Sequence, residues 1–324
     1  MLRWGWYECG AVLQMWVTPR PTATVVVGCD SSWESQSAVV AATLEASLRG
    51  ADLVLLAVVE HRAYWRDSLA ELNLAEAEST QAAQAAADRA MAKVVQTDPA
   101  VAVRTLIVTE LDSPELVDTA REAGLLVLGR RGDGGQVAFS LGSTSADLSK
   151  RFHCPILVVH DQYRSGESKR FGPDRAVVAG MEINAGAGAV LLVAVSEAAI
   201  RGLPLVVVHA LSSGMDVDRT VIDEDWRRGH EALRSADLPA DVPSRLVVTQ
   251  DDPAQALLQR AGPADVLVVG TRGQGRLEGL IAGSVSREIL DRMTCDVIVV
   301  PPGLTAVVPV PPEPVDSRRP TLSV

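Results

Sequence analysis

The sequence has few aromatic residues, few cysteines and no excess of basic residues. Aromatic side chains make up only 4% of the 324 residues while 47% are apolar, so the core must be built from Val, Leu and Ala. A formal net charge of −11 argues against binding to nucleic acid, whose phosphates require a basic surface. Four cysteines in a chain of this length do not form a disulfide framework, and we therefore expect a reducing, cytoplasmic compartment.

Two further absences bear on membrane and catalytic functions. The sequence contains no run of eighteen apolar residues, so we expect no membrane-spanning helix and no membrane partner. Its five histidines lack the spacing of a metal site or of an activated nucleophile. No arginine finger and no second carboxylate suited to act as a general base are evident, which disfavours an enzyme of phosphoryl transfer.

The most informative feature that is present is an internal repeat. The segments GRRGDGGQVAFSLGST and GTRGQGRLEGLIAGSV begin at Gly129 and Gly270, 141 residues apart, and the gaps between their main glycines are identical. The segment HCPILVV after the first copy corresponds to TCDVIVV after the second, and TVVVGCD upstream corresponds to AVVAGME, 152 residues further on. The chain is therefore a tandem of two homologous halves.

Strand patterns alternate with helix patterns as βαβαβαβαβ in each half. This alternation predicts an α/β fold of two Rossmann-like domains, each with a five-stranded parallel sheet flanked by helices. The predicted divisions are a disordered extension at 1–22, a first domain at 23–160, a linker at 161–174, a second domain at 175–302 and a Pro-rich tail at 303–324.

The glycine loops follow the fourth strand of each half, at the sheet edge where open α/β folds bind ligands. Glycine lets the backbone bend sharply and approach a ligand closely. The helix that begins after the loop offers unpaired N–H donors and the hydroxyls of Ser143, Thr144 and Ser145, which predicts an anion site, with phosphate as the obvious anion. Ser284 and Ser286 are the counterparts in the second half. No Lys follows the last glycine, so the loop is not a P-loop.

A carboxylate follows the first strand of each half, but the residue differs. Asp30 can accept hydrogen bonds from a ribose or from an adenine amino group. The longer Glu182 displaces the carboxylate by about an ångström, so we expect the second site to bind more weakly, or only when the first is filled. Arg131 and Arg272 could contact phosphate or be solvated loop residues, and His209 is interpreted as a satisfied core histidine.

Together, a first strand ending in G-x-D, a fourth strand followed by G-x2-G-x9-G-[ST], and a final strand reading C-P-[VIL]-x-V-V resemble the universal stress protein family. The resemblance extends from about Thr24 to Val300 in two copies. It implies an adenine nucleotide alpha hydrolase-like fold and binding of ATP with Mg²⁺, because in the family this glycine pattern marks the members that bind ATP.

The resemblance also assigns roles to individual positions. It implies that the adenosine end is held by Asp30 and the backbone of Val58 in the first half, and by Glu182 and the backbone of Ala210 in the second. The residues implied to contact ribose and phosphates are Gly129, Arg131, Gly132, Gly142, Ser143, Thr144, Ser145, Gly270, Arg272, Gly273, Gly283, Ser284, Val285 and Ser286.

The function implied is a nucleotide-dependent regulator in a stress or dormancy response. Two alternatives stay open at this point: an interaction scaffold in which the glycine loops are structural, and a slow ATPase. In the family the fifth strand pairs with its counterpart in a partner, so we expect Ile156–Val159 and Val297–Val300 to meet around a pseudo-two-fold axis. The tandem would then be an intramolecular pseudo-dimer, and two chains could further associate as a homodimer.

Overall fold

The computed structural model describes residues 24–59, 69–130, 143–160, 175–182, 187–211, 219–236, 238–240, 242–262, 265–271, 283–302 and 304. The predicted extension, the linker and the tail except Leu304 lie outside these residues, and so do Arg131, Gly132, Gly142, Arg272 and Gly273.

The described part of the first half alternates strands and helices in the predicted order. Its elements are β1 (Thr24–Gly28), α1 (Trp33–Arg49), β2 (Leu53–Val58), α2 (Leu69–Thr97), β3 (Val103–Val108), α3 (Pro114–Glu122), β4 (Ala123–Gly129), α4 (Ser143–Arg151) and β5 (Ile156–Val159). The second half repeats this order with β6 (Val177–Gly180), α5 (Ala187–Arg201), β7 (Leu205–Ala210), α6 (Arg219–Arg234), β8 (Ser244–Thr249), α7 (Pro253–Arg260), β9 (Val266–Gly270), α8 (Ser284–Arg292) and β10 (Asp296–Val300).

The ten strands among the described residues belong to one sheet, in the order β3-β2-β1-β4-β5-β10-β9-β6-β7-β8. Within each half, neighbouring strands are parallel. The halves join where β5 and β10 pair antiparallel, with Leu157 opposite Ile298. The predicted fold class and the predicted pairing of the two fifth strands are both confirmed.

Helices cover both faces of the sheet, which explains why the strands are runs of apolar residues rather than alternating ones. In β1, Val25 and Val27 face one core, formed with α1, α2, α5 and α6, while Val26 faces the other, formed with α3, α4, α7 and α8. The two cores run continuously beneath both halves, because the sheet itself is continuous across the β5–β10 pair.

Local sequence signals fix several helix starts. Ser113 caps α3 by accepting a hydrogen bond from the backbone of Leu116, and Pro114 occupies the first turn, as the sequence predicts. The second half uses Asp252 and Pro253 in the same way to begin α7. These caps satisfy N–H groups that have no partner inside the helix.

Four buried charged side chains lie where α1 meets α5, one glutamate and one arginine from each helix. Glu45 pairs with Arg49 within α1, and Glu197 pairs with Arg201 within α5. Between the helices, Arg49 Nη2 is 2.6 Å from Glu197 Oε1, and Arg201 Nη2 is 2.8 Å from Glu45 Oε1. The carboxylates of Glu197 and Glu45 outweigh the effect of burial and raise the pKa of Arg201, so its guanidinium stays charged. We call these residues the buried quartet.

Two further hydrogen bonds between described residues connect the halves. For neither bond does the repeat place the same residue types at the equivalent positions. The backbone N–H of His160 donates to Asp296 Oδ1 at 2.9 Å. Arg130, immediately after β4, donates from Nη2 to the carbonyl of Asp291 in α8 at 2.7 Å. The residues equivalent to Asp296 and Arg130 by the 141-residue repeat are Pro155 and Thr271. The contact between the halves is therefore pseudo-symmetric only in its main features.

Candidate functional site

The first candidate site lies where the direction of strand addition reverses. From β1 the chain moves outward through β2 and β3, and then returns to place β4 on the other side of β1. The carboxyl ends of β1 and β4 therefore lie side by side at this edge of the sheet. Such switch points are where open α/β sheets bind ligands.

Asp30 lies at this edge and is held by serines of the same connection. Its Oδ1 accepts hydrogen bonds from the backbone N–H of Ser32 at 2.8 Å and from the Ser32 hydroxyl at 2.5 Å. Its own N–H donates to Ser35 Oγ at 2.9 Å. Ser32 is also the N-cap of α1, since its Oγ accepts from the N–H of Ser35 at 3.1 Å. The carboxylate is thus fixed relative to the start of α1.

The register of the sheet brings Val58 near Asp30. Gly28 is opposite Leu56, and the N–H of Cys29 donates to the Leu56 carbonyl at 2.8 Å, so the ends of β1 and β2 advance in step. Val58, the last residue of β2, is half-buried. Its backbone and Asp30 therefore border the same edge of the sheet.

Gly129 packs closely against α1. A Cβ on Gly129 would lie 2.9 Å from both the carbonyl carbon and the carbonyl oxygen of Glu34, in the first turn of α1. Its φ is not in the left-handed region; among the described glycines only Gly50 and Gly202 are. The bend and the close approach to a ligand that are expected at this glycine stay predictions.

The helix that follows the first glycine loop is present, and its beginning is at Ser143. For Ser143 and Thr144 the structure describes the backbone only, and Ser145 is half-buried in the first turn. Arg131, Gly132 and Gly142 lie outside the described residues. In this half the structure therefore brings together Asp30, Val58 and Gly129.

The second half has the same framework with different residues. Glu182 follows β6 and is exposed, and Ala210 ends β7 half-buried. A Cβ on Gly270 would lie 2.8 Å from Val190 Cγ2, so here too the glycine makes room for the helix that packs against it. The N–H of Met181 donates to the Val208 carbonyl at 2.9 Å, which carries Glu182 alongside the end of β7.

The start of α8 has no side-chain cap, because its N-cap residue is Gly283. Ser284 is exposed and Val285 half-buried. Ser286 is buried, and its hydroxyl donates to the Gly283 carbonyl at 3.1 Å instead of pointing away from the helix. Of the two serines, Ser284 is the one with an accessible hydroxyl.

The thiols near the sheet ends are buried and free. Burial raises the pKa of Cys29 to about 12, and the neighbouring Asp30 carboxylate contributes to this shift. Cys154 and Cys295, at equivalent positions of the repeat, also have their pKa raised by burial to about 12. A neutral thiol is a poor nucleophile, so these residues act as small apolar core side chains.

His209 is a buried histidine with two polar partners, which confirms its interpretation from sequence. Its Nδ1 is 2.9 Å from the Met181 carbonyl, and its Nε2 is 3.4 Å from Asp225 Oδ2 in α6. Across the described ranges, no group of three or more His, Cys, Asp or Glu side chains could hold a metal ion. No helix in the part of the chain that the structure describes has the length and hydropathy needed to cross a bilayer.

Sequence reasoning did not assign roles to Ser32, Ser35 and Asp225. The first two carry a usable signal, because D-S-S-x-x-S directly after a strand combines a turn with a helix cap. Asp225 carries none, since it is one of several acidic residues on an amphipathic helix and its proximity to His209 depends on how α6 packs on the sheet.

Comparison with known proteins identifies relatives along most of the chain. The universal stress protein family matches residues 22–160 and 175–301. A universal stress protein of Mycobacterium tuberculosis strain H37Rv is 30% identical over 301 residues, which cover 87% of this chain and 98% of that protein. One from Mycolicibacterium smegmatis is 29% identical over 290 residues, covering 86% and 97%.

Solved structures share the whole two-half arrangement. The crystal structure of a universal stress protein from Archaeoglobus fulgidus superimposes with a TM-score of 0.62 at 17% identity, covering 86% of this chain and 98% of that one. A putative universal stress protein from Pseudomonas aeruginosa gives a TM-score of 0.56 at 17% identity, covering 87% and 94%. At these identities the likeness concerns the fold.

Proposed function

The chain belongs to the universal stress protein family, and from that premise we propose that it binds ATP and acts as a nucleotide-dependent regulator in a stress or dormancy response. In this proposal the chain comprises two universal stress protein domains, at 23–160 and 175–302. The free, buried thiols support the expectation of a reducing, cytoplasmic compartment.

The observation that carries the proposal is the convergence of Asp30, Val58 and Gly129 at the switch point between β1 and β4. Asp30 is preorganised there by Ser32, so it can accept hydrogen bonds from a nucleoside without first losing conformational freedom. Asp30 and the Val58 backbone would hold the adenosine end.

The glycine loop and the start of α4 would hold the ribose and phosphates. The residues assigned this role are Gly129, Arg131, Gly132, Gly142, Ser143, Thr144 and Ser145. N–H groups at the start of a helix favour negative charge, which suits the phosphates of Mg·ATP. The matching residues of the second half would form a weaker site, because Glu182 replaces Asp30 and is exposed.

One observation favours the alternative of a nucleotide-free interaction scaffold. Gly129 and Gly270 are both explained by close packing against helices, with no ligand needed. Those two glycines therefore do not distinguish nucleotide binding from a nucleotide-free scaffold, so the test must change the Asp30 carboxylate.

Calorimetric titration of the full chain with Mg·ATP tests the proposal. Asp30→Asn keeps an Oδ1 acceptor for Ser32 and removes the charge that would bind the nucleoside. We expect first-site affinity to fall by about tenfold or more, the scale of a hydrogen bond to a charged group. Asp118→Asn, an exposed carboxylate in α3, serves as the matched control and should change nothing. Wild-type protein that gives no heat of binding would support the scaffold instead.

A further inference from the structure

The two halves fix the residue after their first strand in different ways. In the first half the connection supplies its own support, because Ser32 and Ser35 bond to the side chain and backbone of Asp30. The residues 152 positions further on are Asn184 and Ala187, so both hydroxyls are missing from the second half. Glu182 therefore lacks the serine support that Asp30 receives.

The second half has a different polar residue nearby. His209 occupies the position equivalent to Ala57, whose methyl group can neither donate nor accept a hydrogen bond. Both positions are buried in the core that lies beneath the helices following the first two strands of each half. Near the end of β7 the second half therefore has a polar ring, where the first half has a small apolar side chain near the end of β2.

The ring of His209 contacts the residue immediately before Glu182. Nδ1 lies 2.9 Å from the Met181 carbonyl, and since a carbonyl only accepts, Nδ1 must donate. The N–H of Met181 donates to the Val208 carbonyl at 2.9 Å. Residues of β7 therefore bond to both the N–H and the carbonyl of Met181. With Nδ1 donating, Nε2 can donate to Asp225 Oδ2 in α6, 3.4 Å away, only from a ring that carries a proton on both nitrogens.

We propose that His209 is a positioning residue of the second nucleotide site: by donating to the Met181 carbonyl it holds the end of β6, and so directs the Glu182 carboxylate toward the ribose hydroxyls of an adenine nucleotide. Asp225 keeps the ring in the orientation that this bond requires. The inference rests on the proposed nucleotide-binding function and concerns the second site alone. It explains how a site without the two serines can still present an ordered carboxylate.

An isosteric pair of substitutions at His209 tests the proposal. Asn places an amide N–H close to where Nδ1 stands, while Leu has nearly the same shape and no donor. Both are made in full-length chain carrying Asp30→Asn, so that the remaining Mg·ATP binding is dominated by the second site. We expect His209→Leu to weaken that binding about tenfold and His209→Asn to retain it within about twofold, since one such hydrogen bond accounts for a change of this size.

Two more measurements complete the test. First-site affinity, measured in chain that carries Glu182→Gln, should be the same with His, Asn or Leu at position 209. Asp225→Ala keeps the ring but removes its polar partner in α6, and we expect about a threefold loss at the second site. If thermal melting shows that His209→Leu does not fold, the Asp225 variant tests the role of His209 instead.

The outcomes separate this inference from the proposed function. Second-site affinity that is equal in the Asn and Leu variants, or unchanged by Asp225→Ala where Leu does not fold, overturns the role of His209. A wild-type chain whose second site stays empty even at saturating Mg·ATP overturns it too, while the first-site function stands. A chain that binds nucleotide at neither site overturns both.

Discussion

Arg49 Nη2 lies 2.6 Å from Glu197 Oε1, across the boundary between the two halves, with side chains only 5% and 1% exposed. With Glu45 and Arg201 these residues form the buried quartet, in which each arginine contacts both glutamates. The quartet is neutral as a whole, so its desolvation is offset only while all four members are present. It therefore specifies how α1 and α5 meet.

Removing one charge from the quartet should destabilise the folded chain strongly. In Glu197→Gln two buried guanidinium groups share one carboxylate, and we expect the free energy of unfolding to fall by roughly 3–5 kcal/mol. Urea denaturation measures this free energy of unfolding. Asp118→Asn removes a carboxylate from an exposed pair with Arg121 and should cost less than about 1 kcal/mol. Equal effects in the two variants would show that the quartet does not stabilise the contact between the halves.

Gly129→Ala should destabilise the chain through α1. The new Cβ would be 2.9 Å from backbone atoms of Glu34, and a backbone cannot move away as a flexible side chain can. We expect a loss of roughly 1–3 kcal/mol in the free energy of unfolding. Gly188→Ala is the control, because no atom lies within 4 Å of its added Cβ and alanine favours the helix. A Gly129→Ala chain as stable as wild type would contradict the packing role.

Stability should decrease in alkali because of the buried thiols. Burial raises the pKa of Cys154 from 9.0 to about 12, so the folded chain keeps a proton that the unfolded chain releases above pH 9. This contribution to stability is full below about pH 9 and is lost as the pH rises toward 12, by about 1.4 kcal/mol per pH unit for one thiol.

The Cys154→Ala variant isolates this effect. Between pH 8 and pH 10, its free energy of unfolding should fall by about 1.4 kcal/mol less than that of wild type. Any cavity left by the substitution affects both pH values alike and cancels in the comparison. An identical fall in the two proteins would mean that the thiol titrates normally in the folded chain.

Ser32→Ala should affect both stability and nucleotide binding. It removes the N-cap of α1, which costs about 1 kcal/mol, and also the hydroxyl that donates to the Asp30 carboxylate, while the backbone N–H of residue 32 still donates to it. Ser113→Ala removes the N-cap of α3 by the same chemistry, away from β1. We expect similar losses of stability but weaker Mg·ATP binding only in Ser32→Ala. If both variants bind Mg·ATP equally well, the Asp30 carboxylate does not contribute to nucleotide binding.

The repeat and the strand patterns were sufficient to predict the fold of each half, because hydrophobic runs and their order are recorded along the chain, while the β5–β10 pairing was implied by the resemblance to the universal stress protein family. The buried quartet was not predicted. Glu45 and Arg49 have the spacing of an ordinary surface pair on a helix, and their burial arises only when α5 packs against α1. The same spacing at Glu197 and Arg201 was the available signal.

The candidate site was predictable in position and less so in detail. Strand order alone places Asp30, Val58 and Gly129 at one edge of the sheet. The reason for Gly129 and the inward turn of the Ser286 hydroxyl depend on distances between elements, which no pattern of residue types encodes. The partners of His209 come from β6 and α6, far from it in sequence.

The most direct test of nucleotide binding is to count the nucleotide that heat releases from the full chain as purified, by mass spectrometry with molar stoichiometry. The account predicts about one ATP per chain, held by the first half, and clearly less from Asp30→Asn. Protein that releases no nucleotide and gives no heat with added Mg·ATP would contradict it, and the glycine loops would then be structural.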